Sequence, residues 1–132
     1  MRDLHAPYES KVRVYAEDVD FMGIVYHANY LRYLERARSD MLRDNGMILS
    51  DLIMQDVLFA INELTIKYII PAKLDDLLII TTRIKEITAC SLLFEQEIIN
   101  PKKKLICAAN ILVVCVNGNL RPKCLPNQIR NK

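Results

Sequence analysis

A chain of 132 residues, 52% hydrophobic and 26% charged, has material for one compact core and is too short for two ordinary domains. Its formal net charge of +2 provides no strongly basic face for nucleic acid, and no apolar run approaches the ~18 residues of a membrane span. The opening "MRDLHAPYES" lacks the apolar segment of a signal peptide, and Cys90, Cys107, Cys115 and Cys124 form no CxxC pair and have no histidine nearby. The expectation is a single cytoplasmic, reduced domain over residues 1–132, without a metal site.

In chain order, "ESKVRVYAED" alternates, with Val12, Val14 and Ala16 on one side and Lys11, Arg13 and Glu17 on the other, which is the period of a half-buried strand. After Gly23 the period changes. Tyr30, Leu34, Ala37 and Met41 recur at helical steps, with Leu31 beside them and charged residues on the other faces. "DNG" at Asp44–Gly46 is a helix stop, its glycine free to take the left-handed cap. "VLFAINELTIKYII" then alternates through Phe59, Ile61, Leu64, Ile66 and Tyr68 until Pro71 ends it.

Three further strands follow in "DDLLIITTRIKEI", "CSLLFEQEIIN" and "LICAANILVVCV", separated by short polar turns such as Asn100–Lys104, and "NGN" closes the last. The tail "RPKCLPNQIRNK" reads as irregular, and the continuous run "ILVVCV" as a strand that is central or lies against another subunit. Strands joined by short turns pair antiparallel, and their apolar face needs a cover, which the helix supplies. The fold class expected is α+β: an antiparallel sheet of about five strands around one long helix.

The stretch "EDVDFMGIVYHANYLRYLERAR" carries more titratable groups than a helix start requires. It resembles the "EDTDxxGVVYHxxYLxxxERAR" block of hotdog-fold acyl-CoA thioesterases of the 4-hydroxybenzoyl-CoA thioesterase type, especially the tol-pal system-associated group. Asp18, Asp20, Gly23, Tyr26, His27 and the Glu35–Arg38 run all match. "YIIPAKLDD", "ILVVCV" and "RPKCLP" resemble later family blocks, so the likeness covers nearly the whole chain. Two positions depart from the pattern. Val19 stands where threonine is usual, and Ala16 where many members carry a second tyrosine after Tyr15. Substrate preference is where these changes are expected to tell.

The resemblance implies hydrolysis of an acyl-CoA thioester to a free acid and coenzyme A, with no cofactor beyond the substrate itself. Asp20 takes the place of the reactive carboxylate, as nucleophile or as general base, and His27 that of a pocket histidine. Gly23 and Tyr26 belong to the substrate-binding turn, and the backbone N–H at His27 to the oxyanion site. Chemistry agrees, because a helix N-terminus offers unpaired donors and the positive end of its dipole.

Aspartates before a helix are also ordinary turn and cap residues, and Asp18 is read that way. Glu35 and Arg38 read as a surface pair on the helix, and Tyr30 as core. Lys102, Lys103 and Lys104 read as a solvated hairpin, yet the phosphates of coenzyme A need cations. Lys103 and Arg121 are therefore kept as substrate-binding candidates, with Lys123 beside them.

The family also implies a homodimer or homotetramer with sites between subunits, and contacts with envelope machinery or an acyl carrier protein. Three rivals stand against this reading: a hotdog dehydratase, a non-catalytic acyl-CoA-binding protein, and an envelope partner-binding protein.

Overall fold

The computed structural model describes residues 3–130, so the ends of the expected 1–132 domain lie outside it. The helical period becomes α1 (Asn29–Asp44), whose buried stripe includes Tyr30, Tyr33, Leu34, Ala37 and Met41. Its stop is the one expected: Gly46 adopts φ +83°, and the Met47 N–H bonds back to the Leu42 carbonyl at 2.9 Å. A second helix, α2 (Leu49–Met54), follows at once. The sequence reading did not anticipate it, because six residues are too few to display a period.

Five strands form one antiparallel sheet: β1 (Tyr8–Arg13), β2 (Leu58–Tyr68), β3 (Leu77–Ile87), β4 (Ser91–Ile99) and β5 (Leu105–Val116), in the order β1-β3-β4-β5-β2. β5 is interior, as its apolar run suggested. The three-residue step from Ile61 to Leu64 has a cause in the register, which shifts between Ile61 and Glu63 and returns the later residues to the same face. Leu78, Ile84, Leu92, Phe94 and Ile111 are all buried in the core with the α1 stripe. At about 1.5–3 kcal/mol for each fully buried large side chain, this helix–sheet seam is the main source of stability.

Three expectations are corrected. Ala16 is not in the first strand; it is exposed in a 3-10 turn, Ala16–Asp18. The tail ends in a short helix, α3 (Asn127–Arg130), instead of being irregular throughout. Arg38 is not on the surface. Only 7% exposed, it donates from Nη1 to Gln96 Oε1 at 3.0 Å, while Gln96 Nε2 donates to the Leu34 carbonyl and to Thr82 Oγ1. Glu35 is engaged by the Ser39 hydroxyl instead.

The sheet has two distinct ends. Arg13, Leu77, Ile99, Leu105 and Tyr68 terminate or begin their strands at one end, and α1 enters there. Tyr8, Ile87, Ser91, Val116 and Leu58 mark the other end, where Tyr8 Oη donates to Asp44 Oδ2 at the exit of α1.

Candidate active site

The approach to α1 is built by a short ladder of backbone bonds. The Asp20 N–H donates to the Ile24 carbonyl and the Gly23 N–H to the Asp20 carbonyl, both at 3.0 Å, closing a tight turn over residues 20–23. Asp20 Oδ1 accepts the Met22 N–H at 2.8 Å, so the carboxylate pins its own turn. No hydrogen bond from the described residues reaches its Oδ2. Gly23 sits at φ +79°, and a Cβ there would meet nothing within 4 Å. Backbone conformation, not crowding, therefore calls for glycine.

The turn is fastened to the segment after β2. Val25 N–H donates to the Ala72 carbonyl at 2.9 Å, Leu74 N–H to the Gly23 carbonyl at 3.1 Å, and Ile24 bridges Lys73. Val19, where threonine was expected, bridges Val25 and packs against the core. Asp18 serves structure, as read. Its Oδ2 accepts the Tyr15 N–H, and its carbonyl accepts both the Tyr26 N–H and Asn29 Nδ2. The carboxylate, after burial itself, helps hold the Tyr33 hydroxyl well above the usual phenol range.

The helix entrance is open. Ala28 caps α1 in helical conformation with no side-chain cap. Among the described residues, the N–H groups of His27 and Ala28 have no acceptor, while the Tyr26 N–H is taken by Asp18. These are free donors at the positive end of a sixteen-residue helix. The exposed His27 ring lies 4.5 Å from the Tyr26 ring and 6.3 Å from that of Tyr68. No hydrogen bond joins His27 to Asp20, so the histidine does not orient the carboxylate directly.

Tyr68, which the sequence placed only in the apolar alternation of β2, also reaches this entrance. Its hydroxyl donates to the His27 carbonyl at 3.1 Å, tying the helix entrance to the sheet. Beneath it, the Ala72 N–H donates to the Tyr30 hydroxyl at 2.9 Å, so Tyr30 is core with a polar function in the scaffold. Desolvation raises the pKa of the buried Tyr30 and of the partly exposed Tyr68 above the ordinary phenol range.

Asp20, Gly23, Tyr26 and His27 thus come together at one end of the sheet. The turn carrying Lys103 is at that same end, between Ile99 and Leu105. Arg121 is at the other end, past Val116 in the turn closed by Asn117, the length of β5 away. Lys123 is also there, and its Nζ donates to the Gln55 and Asp56 carbonyls, a structural task.

The family model for the thioesterase-like superfamily matches residues 14–132. The chain belongs to this superfamily. It is 43% identical over 119 residues to the acyl-CoA thioester hydrolase YbgC of Escherichia coli O6:H1, covering 89% of each protein. The acyl-CoA thioesterase YbgC of Haemophilus influenzae is 38% identical over 121 residues, 90% of this chain and 88% of the relative. Among solved structures, a probable thioesterase from Bartonella henselae superposes with a TM-score of 0.86 at 33% identity, over 92% of this chain and 100% of that one. The five strands around one long helix are the hotdog fold of these thioesterases, as the resemblance implied.

Proposed function

We propose that the open end of α1 and the Asp20 turn form the catalytic centre of an acyl-CoA thioesterase. The chain is a thioester hydrolase by family, and its reaction is cleavage of an acyl-CoA to a carboxylic acid and coenzyme A. The observation that carries the site is the pair of N–H donors at His27 and Ala28 without acceptors among the described residues, preceded in the chain by the Asp20 turn, whose carboxylate keeps one oxygen free of hydrogen bonds from them.

In this reading the thioester oxygen accepts from the His27 N–H, which stabilises the charge that develops as the carbonyl is attacked. One such preorganised donor is worth about 3 kcal/mol of barrier. Asp20 acts through Oδ2, either taking a proton from the attacking water or attacking the carbonyl itself to give an acyl anhydride that water then opens. In both routes the C–S bond breaks, the thiolate of coenzyme A leaves with the electron pair, and it is then protonated. His27's ring and Tyr26 line the approach.

The site is completed by a second copy of the chain. β2 is an edge strand of eleven residues whose Ile61 and Tyr68 are exposed, and Phe21, Met22 and Tyr26 extend the apolar surface to the catalytic turn. A long apolar edge is a template for strand pairing, so a two-fold dimer through β2 covers it and closes the site over the substrate. A dimer of dimers, and the roles of Lys103 and Arg121 toward coenzyme A, belong to the same proposal. Arg121 reaches a catalytic turn only across such a subunit contact.

No helix of the described residues is long and apolar enough to cross a membrane, and the proposed location is the cytoplasm. An acyl carrier protein as alternative donor, and a partner in envelope machinery, are compatible further roles. The test is thiol release from acyl-CoAs of graded chain length. Turnover of at least one supports the reading, whereas tight binding of several with no thiol released would make this a binding protein.

A further inference from the structure

The catalytic turn has a neighbour on its far side. Asp20 pairs with Ile24, Ile24 bridges Lys73, and beyond this rail lies a cavity of about 460 Å³. It opens between the segment after β2 (Ile70, Pro71, Lys73, Asp76) and the β4–β5 turn (Asn100, Pro101, Lys102, Lys104). Lys73 was not singled out in the sequence, and Lys103, which was, does not line the cavity.

The lysine turn is held in shape by one side chain. Asn100 Oδ1 accepts the N–H groups of Lys102 at 2.9 Å and Lys104 at 3.0 Å, while the Lys103 N–H donates to the Asn100 carbonyl at 2.8 Å. Lys103 takes φ +62° at the tip. The cavity therefore receives Lys102 and Lys104 from one wall and Lys73 from the other. Among the described residues, none of the three is in an ion pair; the pair present joins Arg83 and Glu95. The single carboxylate in the lining, Asp76, has Oδ2 committed to the Lys73 N–H at 3.0 Å. Ile70, Pro71 and Pro101 supply apolar wall.

Three ammonium groups against one carboxylate leave this concave, partly apolar space net positive, which fits a ligand with several phosphates and a flat ring. Resting on the acyl-CoA reading above, we propose that this cavity holds the 3′-phosphoadenosine diphosphate end of coenzyme A, with Lys73, Lys102 and Lys104 on its phosphates and the prolines against the base. The spacing agrees. Two strand-to-strand steps separate Asp20 from Lys73, roughly 10 Å. The pantetheine arm is about as long as four extended residues, ~14 Å, so it spans from the thioester to the cavity. The concavity favours a nucleotide over a carrier protein, which would need a broad basic surface.

Two measurements test this. Adenosine 3′,5′-bisphosphate is titrated calorimetrically into the wild type and into the triple variant Lys73→Ala/Lys102→Ala/Lys104→Ala. In parallel, KM and kcat are measured with an acyl-CoA and with the matching acyl-pantetheine, which lacks the nucleotide. The expected result is salt-sensitive bisphosphate binding that the triple variant loses. KM for the acyl-CoA should rise roughly tenfold or more in the variant, with kcat and the acyl-pantetheine KM little changed.

Failure of the wild type to bind the bisphosphate, or an unchanged acyl-CoA KM in the folded triple variant, overturns the proposal. So does a variant impaired only toward acyl groups on an acyl carrier protein, since the lysines would then be a docking face for that protein. If the wild type releases no thiol from either substrate, the thioesterase reading fails, and the calorimetric titration still decides the cavity.

Discussion

Replacing Gly23 separates two explanations for the glycine at the proposed catalytic turn. Its φ of +79° lies in the left-handed region, and a Cβ would meet no atom within 4 Å. Gly23→Ala therefore introduces no clash, only the conformational cost of a side chain at positive φ, about 1–2 kcal/mol. Asparagine tolerates this region because its short side chain bonds locally, so Gly23→Asn should recover much of the loss. The cost falls on a turn that also sets the Asp20 carboxylate, through the Gly23 N–H to Asp20 carbonyl bond at 3.0 Å. Strain there should lower kcat as well as stability, since a small displacement of a catalytic group is costly. Urea unfolding and thiol release on the same preparations measure both quantities. Equal damage from alanine and asparagine, at full folding, would refute the backbone argument and point to close approach by substrate instead.

Tyr68→Phe removes the hydroxyl that holds the His27 carbonyl at 3.1 Å. Stability should fall by no more than about 1 kcal/mol, with a several-fold drop in kcat and little change in KM; an unaltered kcat would show that the helix entrance is held without it. His27→Ala should strongly reduce thiol release while leaving the fold intact, because the exposed ring lines the approach beside Tyr26 and Tyr68 and makes no hydrogen bond that holds the structure together; equal activity would reject a role for the ring. Cys107 is fully buried and its thiol is pushed up to about 12 from an ordinary 9.0, chiefly by desolvation. The unfolded chain then loses that proton first, so stability is full below pH 9 and declines toward pH 12. The loss at pH 10 is roughly 1 kcal/mol. The drop in urea midpoint between pH 8 and pH 10 should be smaller in Cys107→Val, and an identical drop would mean that the thiol ionises as freely folded as unfolded.

The elements of this fold that depend on local chemistry could be read from the residues. The α1 stripe, the Gly46 stop, the alternation of β2 and the Asn100–Lys104 turn are each written within a dozen neighbouring positions. So is the Glu17–Arg38 block, whose family pattern singles out Asp20, Gly23 and His27 as the proposed site. What was hidden depends on contacts across the chain. Arg38 reads as a surface residue because nothing in its own helix announces Gln96, which is 58 positions away. Tyr68 looked like one more apolar strand residue until its hydroxyl met His27, 41 positions away. The opposite placement of the Lys103 turn and Arg121 follows from strand direction, which single-strand patterns do not encode. Lys73, inside the "YIIPAKLDD" block, carries no role in the sequence alone, and its interest comes from the bridge to Ile24 and from the cavity it lines.

The central claim is that Asp20 does chemistry beyond closing its turn, and Asp20→Asn separates the two. An asparagine Oδ1 can still accept the Met22 N–H now made at 2.8 Å, so the turn and the fold should persist with a loss under about 1 kcal/mol. The variant lacks the basic and nucleophilic oxygen. Thiol release from the best acyl-CoA, measured for wild type and Asp20→Asn at equal folded concentration, should therefore fall by roughly 10²–10⁴-fold. A folded Asp20→Asn enzyme that keeps the wild-type rate would contradict the account and leave Asp20 as a turn residue alone.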